Sequence, residues 1–291
     1  SFALVPRLVV TERLNQANAA NAAAGSIARL VGSPLGGIIV VAGGLSAVVV
    51  VDGVTFLAVA LATMFVRTPT GALIDPDEHP DTVGVRNGWR AIRRHRELVG
   101  YVWVQMLAGL GFAMFPVLFI AFVVDVLHGD EATVGLIRGM AAFGGLAASY
   151  IVGRAAKDVA PTTLMMWGYA GLGAVAFVFV NVAAATTALW VFFALFALSG
   201  LPNITSQVGA AGAAQRLCPP ELLGRFQGVL SATGAVGAIT GSVLVGVLVD
   251  TVGVRWLLNA QATAYVMCGV LTYLLVITPR RGVGTASGER R

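Results

Sequence analysis

The stretch GSPLGGIIVVAGG at residues 32–44 returns as GSVLVGVLVDTVG at residues 241–253, 209 positions later. Both begin Gly-Ser, and in the same register Leu35 falls on Leu244, Gly37 on Gly246 and Gly44 on Gly253. The match extends both ways, with Glu12 over Glu221, Leu14 over Leu223, apolar Val48 over Leu257 and aromatic Phe56 over Tyr265. A duplication this long in an apolar chain is the mark of a membrane protein built from two like-folded halves. If the second half opens near residue 99, the same offset places the opening of the first roughly 110 residues ahead of Ser1. The expectation is therefore a chain lacking most of its first four spans.

Composition supports the membrane reading. Hydrophobic residues make up 57% and charged residues only 11%, against about 25% charged in an average soluble domain. Mean hydropathy is +0.83. Apolar runs near the roughly 20 residues a helix needs to cross the hydrocarbon core fall at about 18–43, 46–66, 99–127, 132–153, 162–183, 187–214, 226–249 and 256–277. These runs are continuous and rich in Ala and Gly, without the period-two alternation of barrel strands. The fold class expected is all-α integral membrane, with eight transmembrane helices.

Charge placement gives the topology. Of 19 basic residues, 16 lie in alternate connections: Arg7 and Arg13; Arg67 to Arg96; Arg154 and Lys157; Arg216 and Arg225; Arg280 to Arg291. The opposite connections carry Arg255 beside Asp125, Asp130, Glu131 and Asp250. By the positive-inside rule, residues 67–98 and the C-terminal tail 278–291 are cytoplasmic, while 128–131 and 250–255 face outward. A net charge of +5 thus reflects lipid topology, because basic clusters separated by apolar spans are not a nucleic-acid surface. The partners expected are a lipid bilayer, a small molecule and protons, with no nucleic acid, and the chain is read as monomeric. Arg outnumbers Lys eighteen to one, the usage of a GC-rich bacterial genome.

Enzyme chemistry finds little support, and no cofactor is expected. Cys218 and Cys268 offer neither a disulfide framework nor metal-ligand spacing. His79, His95 and His128 lie in or beside loops, and no GxxxxGK[ST] phosphate loop occurs. The organisation expected is residues 1–66 as the remainder of an N-terminal half, 67–98 as a linker, 99–277 as a six-helix C-terminal half, and 278–291 as a tail. The linker's second part, VRNGWRAIRRHREL, sets Trp89 and Ile92 on one helical face against a spread of arginines. It reads either as an amphipathic helix along the inner leaflet or as an ordinary solvated connection. Small residues gather at Gly139, Gly144, Gly145 and Ala148 and at Gly234, Gly237, Gly241 and Gly246, where helices approach closely. Sliding surfaces and static packing both use such spacing.

Three segments carry a family resemblance. LVPRLVVTERLNQANAANAAAGSIARLVGSPLGG at 4–37 resembles the end of the fourth span and most of the fifth in the major facilitator superfamily. WRAIRRHREL at 89–98 resembles the basic lead into the seventh span, and QRLCPPELLGRFQGV at 215–229 the loop between the tenth and eleventh. The combination is most similar to the drug/proton antiporter branch that includes macrolide and enterobactin exporters. This resemblance makes the eight spans the family's fifth to twelfth. It implies a major facilitator fold of two six-helix halves around a central cavity in the plasma membrane, moving an amphipathic, drug- or siderophore-like molecule outward by alternating access in exchange for protons. The family's antiporter motif, Gly-Pro-x-x-Gly-Gly, is matched by Gly32-Ser33-Pro34-Leu35-Gly36-Gly37 with the proline moved one position; Pro34 removes one helical donor and should bend the span. GRAAKDVAP at 153–161 is a degenerate copy of the cytoplasmic signature. The alternative is a membrane protein without transport activity of its own.

Candidate site residues are polar groups placed in apolar spans. Arg29 lies about eleven residues into its span, near mid-membrane, where a central Arg costs about 2.5–3.5 kcal/mol on insertion scales. A cavity or coupling role, hydrogen bonding to neighbouring carbonyls, and snorkelling all remain open for it. Asp52 and Arg138 sit a few residues from the outer surface, each either interfacial or functional, and burial of Asp52 would raise its pKa and suit it to carry a proton. Gln105, Asn203, Gln207, Asn259 and Gln261 could bind substrate or only link helices. Tyr101, Trp103, Phe112 and Phe115 could line an apolar cavity or face lipid.

Overall fold

The computed structural model describes residues 14–64, 92–93, 95–219 and 222–278, with some side chains of the first helix left aside. The linker from 65 to 91, the tail from 279 and the segment 1–13 lie outside the described residues, and so do the expectations placed on them. Seven helical elements follow: α1 (Leu14–Met64), α2 (Arg96–Ala121), α3 (Glu131–Ala155), α4 (Pro161–Val182), α5 (Leu189–Leu217), α6 (Leu223–Val252) and α7 (Val254–Leu271). Helices α2 and α7 run on through π-helical turns at Phe122–Val126 and Thr272–Ile277. No strand occurs among the described residues.

From α2 onward, each helix keeps close to the span the apolar runs predicted. Six helices are long and apolar enough to cross a membrane among the described residues, and Ser46–Ala62 forms a shorter apolar helix. The runs expected as two spans at 18–43 and 46–66 form a single α1 with a break at Gly44, whose φ of 62° and ψ of −162° interrupt the helix. Gly253, its partner in the repeat, separates α6 from α7 at φ 87° and ψ 150°. L-residues with a Cβ rarely occupy that region. Equivalent positions of the duplication thus perform the same backbone task.

Packing follows the glycines. A Cβ on Gly237 would stand 2.6 Å from the Met106 carbonyl oxygen, and one on Gly241 would stand 2.5 Å from that of Leu110, which seats α6 on α2. Gly144 and Gly200 bring the backbones of α3 and α5 together. Gly168 abuts Ser206 and Gly209 abuts Met165 between α4 and α5, while Gly173 and Gly269 do the same between α4 and α7. The adjacency runs α3, α5, α4, α7, α2, α6, with the first arm of α1 against α3 and α5. In a solvent as apolar as the side chains, such close backbone contact supplies the dispersion that holds helices together. Of the small residues expected at crossings, Gly139 and Gly246 have nothing within reach and Gly234 only borders Gly109.

Two apolar clusters occupy opposite ends of the helices. One gathers Ile92, Leu98, Tyr101, Cys218, Leu223 and Phe226, so Ile92 inserts into the protein interior. The other joins Phe119, Phe122, Phe179, Phe192 and Phe196 with Leu257 and Leu258. Trp167, Trp190 and Trp256 are exposed, as are many other large apolar side chains, which a lipid solvent allows.

Candidate functional site

The first arm of α1 touches the other helices through its opening turns. Asn18 and Ala19 are buried, whereas Ile27, Val31 and Gly32 are exposed. Asn18 Nδ2 donates to Gln215 Oε1 near the end of α5 at 2.9 Å. Around this bond Ala19 packs with Ala148, Val152, Ala156, Leu164, Ile204 and Val208, and a Cβ on Gly153 would lie 3.3 Å from that of Ala19. Among the described residues, small apolar side chains surround the amide pair here.

Beside it lies a cavity of about 520 Å³ between α1, α2, α4, α5 and α6. The wall is built from helical stripes: Asn18, Ala22 and Gly25 on α1; Tyr101, Gln105 and Phe112 on α2; Gln207 and Ala211 on α5; Gln227, Ser231 and Gly234 on α6. Spacings of three, four and seven place each set on one face. No Asp, Glu, Lys, Arg or His is among the described lining residues.

Hydrogen bonds fix the wall. Tyr101 Oη donates to the Ala210 carbonyl at 2.9 Å, and Tyr169 Oη donates to Gln105 Oε1 at 2.8 Å. Gln207 Nε2 reaches Asn203 Oδ1 at 3.1 Å. Gln227 Oε1 is buried and has no hydrogen-bond partner among the described residues. The Tyr101 ring leans on Phe226 and that of Phe112 on Tyr265, with centroids 5.5 and 5.3 Å apart.

The sequence model of the Major Facilitator Superfamily matches residues 1–201 and 101–291 of the chain. This chain belongs to that superfamily. The chain is therefore a multi-pass membrane protein of a transporter family, and no curated protein matches it.

Within the superfamily frame, the candidate residues divide. Gln105 and Gln207 line the cavity, while Asn203 supports Gln207 from the turn before. Asn259 is bonded to Asn181, and Gln261 donates to the Gly111 carbonyl at 2.8 Å; both link α7 to its neighbours. Tyr101 and Phe112 line the cavity, but Trp103 is exposed away from it and Phe115 stacks on Phe119 and Phe196. Arg138 is exposed on α3 with its guanidinium 5.6 Å from the Phe119 ring centroid, a cation–π contact outside the cavity. Asp52 is exposed, its backbone carbonyl accepting from Thr55 Oγ1, so the burial that would favour proton carriage is not found. Position 29 continues the α1 stripe at helical spacing from 18, 22 and 25, although the Arg29 side chain lies outside what is described. The same holds for Ser33, Pro34, Gly36 and Gly37; Gly32 is exposed with open space around it.

Asn18, Asn21, Tyr169, Ser206, Gln227 and Ser231 also line the cavity, and the sequence reading passed over them. A signal existed: Gln227, Ser231 and Gly234 make a polar and small stripe on an otherwise apolar helix.

Proposed function

We propose that the protein is a proton-coupled exporter of the drug/proton antiporter branch, moving an amphipathic, drug- or siderophore-like molecule across the plasma membrane by alternating access. The single observation that carries this reading is a cavity between α1 and the other helices, beside which the Asn18–Gln215 bond and the packing of Ala19 join α1 to α3 and α5. A neutral hydrogen bond of this kind in a membrane contributes about 0.6 kcal/mol, at most about 1.7, so this bond by itself does not prevent the contact from opening. A transporter needs two states separated by only a few kcal/mol.

On this reading the two arms of α1 are the family's fifth and sixth spans and α2 to α7 its seventh to twelfth, eight in all, with the C-terminus in the cytoplasm. Basic charge on alternate connections supports that topology and makes the end at the Asn18–Gln215 bond cytoplasmic. The described cavity wall holds no carboxylate, so the proton carrier belongs outside it. Arg29 would tune such a carboxylate, because a nearby cation favours the ionised form. In liposomes containing the full-length protein and an imposed proton gradient, Arg29→Ala should abolish the pH dependence of export and Arg29→Lys should keep part of it, since Lys retains charge but not the planar fork of donors. Unchanged transport in Arg29→Ala would remove Arg29 from the coupling scheme.

A further inference from the structure

We infer that the cavity selects uncharged, hydrogen-bonding molecules and rejects cations, with Gln227 as the residue that reads the substrate. The cavity's chemistry is amide, hydroxyl and aromatic throughout, and no formally charged group is among its described lining residues. A cation entering it would shed water without meeting a carboxylate among the described lining residues, and an ion taken from water without a partner is strongly penalised. Aromatic rings could compensate by attracting a cation. Here Tyr101 and Phe112 lean on Phe226 and Tyr265, which occupy part of their faces, and both cavity tyrosines spend their hydroxyl protons on Ala210 and Gln105.

What remains to bind a ligand is amide chemistry. Gln105 gives its oxygen to Tyr169 and keeps its NH₂ for another partner; Gln207 gives its NH₂ to Asn203 and keeps its oxygen. Gln227 lines the cavity with a buried Oε1 that no donor among the described residues reaches. A buried acceptor left unpaired is unfavourable, and rotation of the amide toward the cavity would offer it to a substrate hydroxyl or N–H. The volume of about 520 Å³ suits a drug-sized molecule. The substrate class is therefore an amphipathic neutral molecule that carries both carbonyl and hydroxyl or N–H groups. For its biological meaning this inference rests on the transport reading, but binding tests it separately.

The experiment is calorimetric titration of the purified full-length protein in a detergent with uncharged headgroups, with ligand-into-detergent heats subtracted. The probes are triphenylmethanol, whose hydroxyl can donate to an amide oxygen, tetraphenylphosphonium and tetraphenylborate, which share aromatic arms and differ in charge. The neutral probe should bind at least tenfold more tightly than either ion. Gln227→Glu should improve tetraphenylphosphonium binding about tenfold, and Gln227→Leu should weaken the neutral probe severalfold while leaving the cation where it was. Thermal unfolding of both variants identifies any that fail to fold, and the wild-type ranking stands on its own. Equal or tighter binding of either ion to the wild type would overturn the inference, and a Gln227→Leu protein that binds the neutral probe unchanged would remove Gln227 from it. Selective neutral binding without proton-driven transport would leave this inference intact and refute the transport reading instead.

Discussion

Replacing Ala19 and Gly153 by cysteine converts the contact beside the cavity into a covalent lock. A Cβ at position 153 lies 3.3 Å from that of Ala19, and a disulfide needs about 3.5–4.5 Å between Cβ atoms. The helices must therefore separate by only about 0.5 Å to reach the mean near 3.8 Å, a shift that side chains as small as Ala148 and Ala22 at this contact permit. The buried thiols of Cys218 and Cys268 are first changed to alanine so that no other pair can form. A protease site placed between residues 67 and 91 then separates the two cysteines onto different fragments, which stay joined on a non-reducing gel only when the bridge exists. Oxidation should give nearly complete joining, and transport should fall in proportion to the joined fraction, returning on reduction. Efficient joining with undiminished transport would refute the reasoning, because this contact would then not have to open. Absence of joining would mean that α1 and α3 do not meet here in the bilayer.

Other perturbations test separate parts of the account. Asn18→Ala removes the bond to Gln215 and should shift the ratio of closed to open protein roughly 3- to 18-fold toward open, from about 0.6–1.7 kcal/mol, read as lower cross-linking yield between the engineered cysteines at 19 and 153. Gly241→Ala should destabilise the protein by about 1–3 kcal/mol through overpacking against the Leu110 carbonyl, whereas Gly246→Ala, with nothing within 4 Å, should leave thermal unfolding in detergent nearly unchanged. Asp130 caps α3 by accepting from the Thr133 hydroxyl and backbone N–H, and these bonds hold its carboxyl below the ordinary aspartate range. With the folded pKa below the unfolded one, the cap's contribution is full above the unfolded value and disappears as pH falls through the folded value. Asp130→Ala should consequently lower the unfolding temperature at pH 7 and make little difference at pH 2.

The spans were legible because lipid imposes one rule on every crossing segment: about 20 apolar residues with internally satisfied backbone. Runs at 162–183 and 256–277 therefore reappear as α4 and as α7 with its π-turn with little change of boundary. The repeat went further, since its paired glycines, Gly44 and Gly253, both carry positive φ. What the sequence did not reveal was which way a polar side chain turns once inside a span. Gln105 and Gln261 look alike in the chain, yet one lines the cavity and the other ties α7 to the Gly111 carbonyl. Arg138 could be interfacial or functional from its sequence position, and its guanidinium lies over Phe119 outside the cavity. Trp103 and Tyr101 are two residues apart, and in a helix that turns them to different faces: Tyr101 is buried at the cavity wall and Trp103 is exposed. Facing depends on which helices are neighbours, and neighbour choice arises from backbone crossings such as Gly144 on Gly200 that one sequence does not order.

Alternating access around this cavity is tested most directly by a cysteine at Ser231, an exposed position in the cavity wall, in the protein that also carries the engineered pair at positions 19 and 153. A membrane-impermeant thiol reagent is applied from one side of oriented vesicles at a time, before and after the lock is oxidised. Counted above the labelling of the same protein with Ser231 retained, which reports the freed thiols at 19 and 153, the account predicts labelling from both sides when the lock is reduced and from the outer side alone when it is oxidised. Labelling from a single side in both conditions, or the same labelling from both sides in both, would contradict it and favour a membrane protein that does not transport.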